Sequence, residues 1–458
     1  MLRVMNTISL TNTHQRLLVS KSMKFIVPAL ATTFLSFSSM STMASATASS
    51  SDEDKAVLQV QKRRADRIRG VYFGALVADA LCLGSHYEYD AKKIRQAYNG
   101  TMDTYMGPGE HMGGSTHGIG WGERNYHPGT TAGDQTDYGE YNVLILEQLA
   151  QLATATQTDD STTTPTPFTV EAFIPTWIER LSSGWKQWVC TQTKQTYQQI
   201  QEGTATNKLG GNSNAMALRY AAMYAYVGGG DGNDNGGNDE DTLVEYALKT
   251  MFTHREKTAL LGNEFFARVV YRLVHQDQDD RGDDHHTITP REAIESVVIE
   301  MNDTWLTQKV QQAIAKYEEA VDPSGPLSKE DFVDDLALTS MARLWDIGKS
   351  EPIKVGKASP TEGTLPGAIY FILKYQNDFV AAVKANAMVG GDNASRAIAI
   401  GMVLGASHGI KNALQDHPAL REGLHHWKDS EKLLSTLPLL RRGGTTNDNN
   451  NESKHKEL

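Results

Sequence analysis

From Lys55 onward, apolar residues recur at spacings of three and four, the period that lays one apolar stripe along a helix, and no sustained alternation marks a sheet. The pattern predicts helices over 66–83, 140–153, 170–182, 215–227, 241–254, 257–275, 290–316, 329–345, 366–374, 378–388 and 396–408. Two of these carry a small residue at every fourth position, Gly70, Gly74 and Ala78 on the first and Gly401, Gly405 and Gly409 on the last. Such stripes let helix backbones approach closely. Polar, low-complexity stretches at 154–166, 228–241 and 276–286 are expected as surface insertions. The fold class is therefore all-α. No linker divides the body, so one domain is expected over 55–440, with a targeting segment and linker at 1–54 and a disordered tail at 441–458.

Composition narrows the partners. A chain of 458 residues with 40% hydrophobic content can bury a sizeable core. A net charge of -11 disfavours a phosphate-backbone ligand, so nucleic acid is not expected. The first acidic residue is Asp52, and the basic start leads through Lys24 and an apolar run from Phe25 to Phe37 to the small residues Ala44-Ser45-Ala46. This predicts a secretory signal, with the mature protein secreted or in the ER lumen. A mitochondrial or plastid transit peptide is the alternative, given Arg3, Arg16, Lys21 and the Ser/Thr content. That run is short for a bilayer, so no stable membrane insertion is expected, and the chain is expected to act as a monomer. The two cysteines, Cys82 and Cys190, exclude a disulfide scaffold, and Cys82 is expected to be a buried thiol.

Five segments carry candidate chemistry. Asp79 interrupts an apolar helix and must be paired or reach a cleft, and a polar run with His86 and Glu88 follows it. Thr136 and Asp137 stand at a helix start, where Asp137 and Glu140 also fit a plain cap. Gly211, Asn212, Ser213 and Asn214 form a loop running into the helix expected at 215, a turn whose amides suit an anion. Thr253-His254 ends a helical hairpin. Gly390-Gly391-Asp392-Asn393-Ala394-Ser395 is a glycine turn before the last predicted helix, with Asp392 as a possible N-cap. Separately, Asp231 to Gly236 matches the first half of a calcium loop but lacks the acidic twelfth residue, which is Thr242.

In this order the five segments resemble the ADP-ribosylglycohydrolase family, and most of all its J1-crystallin-like branch with incomplete metal ligands. The resemblance implies a compact orthogonal multi-helix bundle and cleavage of an N- or O-glycosidic bond with Mg²⁺ assistance. The substrate would be an ADP-ribosylated protein or a small ADP-ribosyl ligand. It implies metal ligation by Thr136, Asp137, Asp392 and Ser395, substrate contacts at Asp79, Gly211 to Asn214, Gly390 and Gly391, and catalytic roles for Asp137 and for His86 or Glu88. Tyr138 and Ala394 stand where the family has aspartates. That loss of two charges implies one Mg²⁺ or none, and an inactive, crystallin-like binding protein is the alternative.

Overall fold

A computed structural model describes residues 47–119, 121–155, 166–227, 239–276, 287–341, 344–345, 353–354 and 357–441. The expected targeting segment up to Ala46, the calcium-like Asp231 to Gly236, most of the three polar insertions and the tail lie outside them. The chain divides into two compact units, Met1–Glu53 and Asp54–Leu458. The second carries the site.

Its frame is set by two helices. Helix α1 (Thr47–Cys82) is buried almost continuously from Ile68 to Cys82. Its 55–85 segment is long and apolar enough to cross a membrane, but 94% of the apolar window is buried inside the fold. The last long helix, Asn393–Ala413, is likewise buried along most of its length. The two glycine stripes meet here. A Cβ on Gly70 would lie 2.0 Å from the carbonyl oxygen of Gly405, and one on Gly74 would lie 2.3 Å from that of Gly401. The helices therefore touch backbone to backbone, and antiparallel, since the paired numbers run in opposite directions. The stripe ends at Gly409, whose φ of 71° kinks the helix and which faces Asp66.

Around this pair the helices follow in order. They are α2 (Ala91–Ala97), α3 (Asp137–Ala155), α4 (Val170–Ser183), α5 (Thr191–Gln201), α6 (Met223–Tyr226), α7 (Asp239–Lys249) and α8 (Lys257–His275). Then come α9 (Pro290–Met301), α10 (Thr304–Val321), α11 (Val333–Met341), α12 (Thr361–Lys374), α13 (Phe379–Val389), α14 (Asn393–Ala413), α15 (Pro418–Glu422), α16 (Trp427–Leu434) and α17 (Pro438–Arg441). Helix α14 packs on α3, α8, α9, α12 and α13, and α16 closes one end by stacking Trp427 on Phe73 with ring centroids 4.0 Å apart. Strands are short antiparallel pairs, β1 (Thr116–Gly118) with β2 (Gly122–Arg124) and β3 (Leu344–Trp345) with β4 (Ile353–Lys354).

Four predicted helices are corrected. The one expected at 215–227 is helical only in α6, because its backbone is held from outside. The Asn142 side chain donates to the Leu218 carbonyl and accepts from the Ala221 amide, and Ser395 donates to the Met216 carbonyl. These partners satisfy the groups a helix would have paired internally. The one expected at 290–316 is two helices, since Asn302 adopts φ 46° and Asp303 caps the next helix by accepting from the Leu306 amide. The one expected at 329–345 is α11 followed by β3, and the one expected at 241–254 ends at Lys249. Helices α2, α5, α15, α16 and α17 were not marked by periodicity, as all are short or polar on most faces.

Candidate functional site

The loop after α1, the start of α3, the start of α5, the 213–219 segment, the end of the α7–α8 connection and the turn before α12 converge on one cleft of about 650 Å³. That volume suits a small organic ligand. One wall is aromatic. Tyr87 lies 4.9 Å from Tyr126 between ring centroids, and Tyr126 lies 5.3 Å from Trp188. Tyr87 holds a left-handed φ of 64°, a costly conformation for a bulky residue. The Gly390-Gly391 turn is what holds it there. The Tyr87 amide donates to the Gly391 carbonyl at 2.8 Å and the Gly391 amide to the Glu88 carbonyl at 2.6 Å. Both glycines have φ of 70° and press on backbone, Gly390 on Glu88 and Gly391 on Lys357, so a side chain would not fit at either.

The floor is a hydrogen-bonded network of buried groups. Asp392, at the N-cap of α14, accepts from the Tyr138 hydroxyl at 2.8 Å on Oδ2, and on Oδ1 from His86 Nε2 at 3.3 Å and the Ser395 amide at 3.2 Å. His86 Nδ1 lies 2.8 Å from His127 Nε2, and the Trp188 amide donates to His127 Nδ1 at 3.2 Å. This orders the protons. His127 Nδ1 is an acceptor, so its proton is on Nε2 and goes to His86 Nδ1, which leaves His86 Nε2 to donate to Asp392. Burial works against charge on Asp392, yet the His86 and Tyr138 hydrogen bonds hold it below the usual carboxylate range. His127 is pushed well down, first by burial and then by His86.

Behind the floor, Asp79 accepts from the Thr136 hydroxyl at 2.6 Å and the Thr136 amide at 2.7 Å. Burial pushes its carboxyl up to about 7 in spite of these bonds. Asp137 is different. It lines the cleft, and its Oδ1 is buried without a hydrogen-bond partner among the described residues. Burial, and then the charges of Asp392 and Asp79, push it well above its ordinary value, while Arg219 opposes the shift. Arg219 also lines the cleft, lies over the Tyr141 ring at 3.7 Å, and donates to Thr253.

The sequence-predicted residues thus fall into three groups. Asp137, Ser213 and Asn214 line the cleft. His86, Asp392, Thr136 and Asp79 lie in the buried network around Asp137, and Ser395 turns its hydroxyl away, to the Met216 carbonyl at 2.9 Å. Glu88 faces elsewhere. It pairs with Lys93 at 2.8 Å and borders a separate surface pocket, so of the two candidates near it only His86 joins the floor. Gly211 and Asn212 do not line the cleft, and Gly211 lies against the Gln192 side chain. No helix starts at 215 to present amides to an anion. Glu140, read as half of a cap, instead meets Arg180 and His426. Sequence reasoning missed His127, Trp188, Cys190 and Arg219, which are scattered single residues with no local motif; Tyr138 was noticed only as a missing aspartate.

Among the described residues, His86, His127 and Asp137 each offer a ligand atom within 4.8 Å of the others, which makes a three-residue metal site possible. The oxygen set implied by the resemblance is otherwise engaged. The Thr136 and Ser395 hydroxyls are held by Asp79 and by the Met216 carbonyl, and both oxygens of Asp392 accept from protein groups.

An all-α fold with this cleft over a buried carboxylate floor sets the class, and the sequence sets the family. Residues 60–447 match the ADP-ribosylglycohydrolase family, and the chain belongs to it. A solved structure described as an ADP-ribosylglycohydrolase-related protein complex is similar over 83% of this chain and 99% of its own, with 16% identity and a TM-score of 0.48. No curated protein matches.

Proposed function

We propose that the cleft receives an ADP-ribosyl or related ribosyl ligand and that Asp137 assists water in cleaving its N- or O-glycosidic bond. The carrying observation is the Asp137 carboxylate, buried at the cleft with one oxygen unpartnered and its proton affinity raised. A raised carboxylate is the stronger base toward water. In the proposed step water attacks the anomeric carbon as its proton passes to Asp137, and the bond to the leaving group breaks with its electron pair on that group. The aromatic wall would stack a flat base, and Ser213 and Asn214 supply polar contacts.

Mg²⁺ does not fit this donor set, and no step is routed through it. Magnesium requires near-octahedral oxygen coordination, and of the four residues implied as ligands only Asp137 keeps a free carboxylate oxygen. Two imidazoles and a carboxylate suit a transition metal better, but an ion there would replace the His86–His127 hydrogen bond. A second reading, a binding protein without turnover, is favoured by one observation: the Tyr138 hydroxyl occupies Asp392, tying down an oxygen that a metal would use.

Calorimetry with ADP-ribose, followed by a release assay on ADP-ribosylated protein, tests the proposal. Wild type is expected to bind and to release ADP-ribose, and Asp137→Asn to bind while losing release by about 100-fold or more. Binding by wild type with no release selects the second reading, and absence of binding removes both.

A further inference from the structure

We propose that Cys190 and His254 form a thiol–imidazole nucleophile that opens onto the cleft and accepts an acyl group from a small carboxylic ester or thioester. This activity is separate from the glycosidic reading and uses other residues of the same cleft. Cys190 Sγ lies 3.6 Å from His254 Nε2, and the other ring nitrogen lies 2.7 Å from Thr253 Oγ1. Thr253 in turn accepts from Arg219 at 2.8 Å. Nucleophile, base and a group orienting the base therefore stand in a row, the arrangement that activates a side-chain nucleophile. Both Cys190 and His254 line the cleft.

Two further observations favour a reactive site over packing. Arg219 Nε and Asp137 Oδ1 line the same cleft and are buried without partners among the described residues, so the cleft presents polar groups that a ligand would satisfy. Cys190 is the N-cap of α5, and the cleft-lining Thr191 and Gln192 occupy its first turn, where amides have no intrahelical acceptor. Such amides are the donors an acyl oxyanion needs.

In the step, Sγ bonds to the carbonyl carbon while the thiol proton passes to His254 Nε2. The ester C–O or thioester C–S bond then breaks with its pair on the leaving group, which takes that proton. Water next attacks the new thioester and gives a proton to Nε2, and the carbon bond to Cys190 breaks, returning the proton to sulfur. The sum is acyl compound plus water giving acid plus alcohol or thiol, with no redox change.

The test uses p-nitrophenyl acetate on the full chain, read by nitrophenolate release and by peptide mass mapping. Cys82 is fully buried, which makes it an internal control. The expected result is one acetyl group on Cys190, none on Cys82, no burst in Cys190→Ser, and a burst roughly 100-fold slower in His254→Gln. Acetylation elsewhere with Cys190 unmodified overturns the proposal, as does a folded His254→Gln variant that reacts within about twofold of wild type. Should that variant fail to fold, the native chain is compared with the same chain unfolded in urea. Faster acetylation of Cys190 in the native state supports the dyad, and an equal or slower rate overturns it.

Discussion

Replacing Tyr138 with phenylalanine removes one hydroxyl and tests whether the cleft floor is a hydrogen-bonded structure rather than an open set of ligands. Tyr138 is buried and its hydroxyl lies 2.8 Å from Asp392 Oδ2. A hydrogen bond to a charged acceptor contributes about 1.5–3 kcal/mol, and its loss leaves a buried carboxylate oxygen unmet. At about 2.1 cal/mol/K of unfolding entropy per residue, a body of this size should lose roughly 2–4 °C in melting temperature. Stability alone does not identify the partner, so the assay is a double-mutant cycle by urea denaturation with Tyr138→Phe, Asp392→Asn and the pair. Asn at 392 keeps an oxygen for the Ser395 amide while removing the charge that Tyr138 meets. The expected coupling energy is on the order of 1 kcal/mol or more. If the two single losses add within about 0.5 kcal/mol, the contact is not a stabilising one and the account of the floor fails.

Three other outcomes follow from the same structure. Saturating Mg²⁺ should leave the melting temperature of wild type unchanged, while Tyr138→Asp with Ala394→Asp should gain a Mg²⁺-dependent rise; a rise in wild type contradicts the donor count. Asp79, raised from 3.8 to about 7, binds its proton more tightly in the folded state, so its contribution is full below its unfolded value and is lost as pH rises through about 7. Between those values it should make wild type lose stability with a slope of up to about 1.4 kcal/mol per pH unit that Asp79→Asn lacks, and identical slopes in both proteins would refute the shift. Gly405→Ala, which places a methyl group 2.0 Å from the Gly70 carbonyl, should cost at least about 3 kcal/mol in urea denaturation; a loss under about 1 kcal/mol would show that the helices can separate.

What was legible in the sequence divides by the range of the cause. A helix with a strong apolar stripe, such as α8, was placed within about a residue because burial of one face dictates its period. Segment 215–222 was not, since its backbone is satisfied by Asn142 and Ser395, residues more than 70 positions away. The site shows the same division. Asp137 and Asp392 stand out locally, one at a helix start and the other after a glycine turn. His127 beneath the cleft and Trp188 and Cys190 lining it carry no local signal, because only the packing of the loop before α3 against the segment leading into α5 brings them together. Glu88 was misplaced for a related reason: sequence offset alone does not show that the Tyr87 turn directs alternate side chains to opposite sides.

The glycine contact between α1 and α14 has a consequence for how this scaffold tolerates change. Asp79 lies toward one end of α1 and Asp392 opens α14, so the two sides of the floor hang from a pair of helices whose separation is set by main-chain atoms in contact. The contacting glycines have no rotamer to exchange. Substitutions at positions such as 138 or 394 can therefore rewrite the chemistry of the floor while its walls keep their spacing, much as instruments can be changed on a bench whose legs are bolted together.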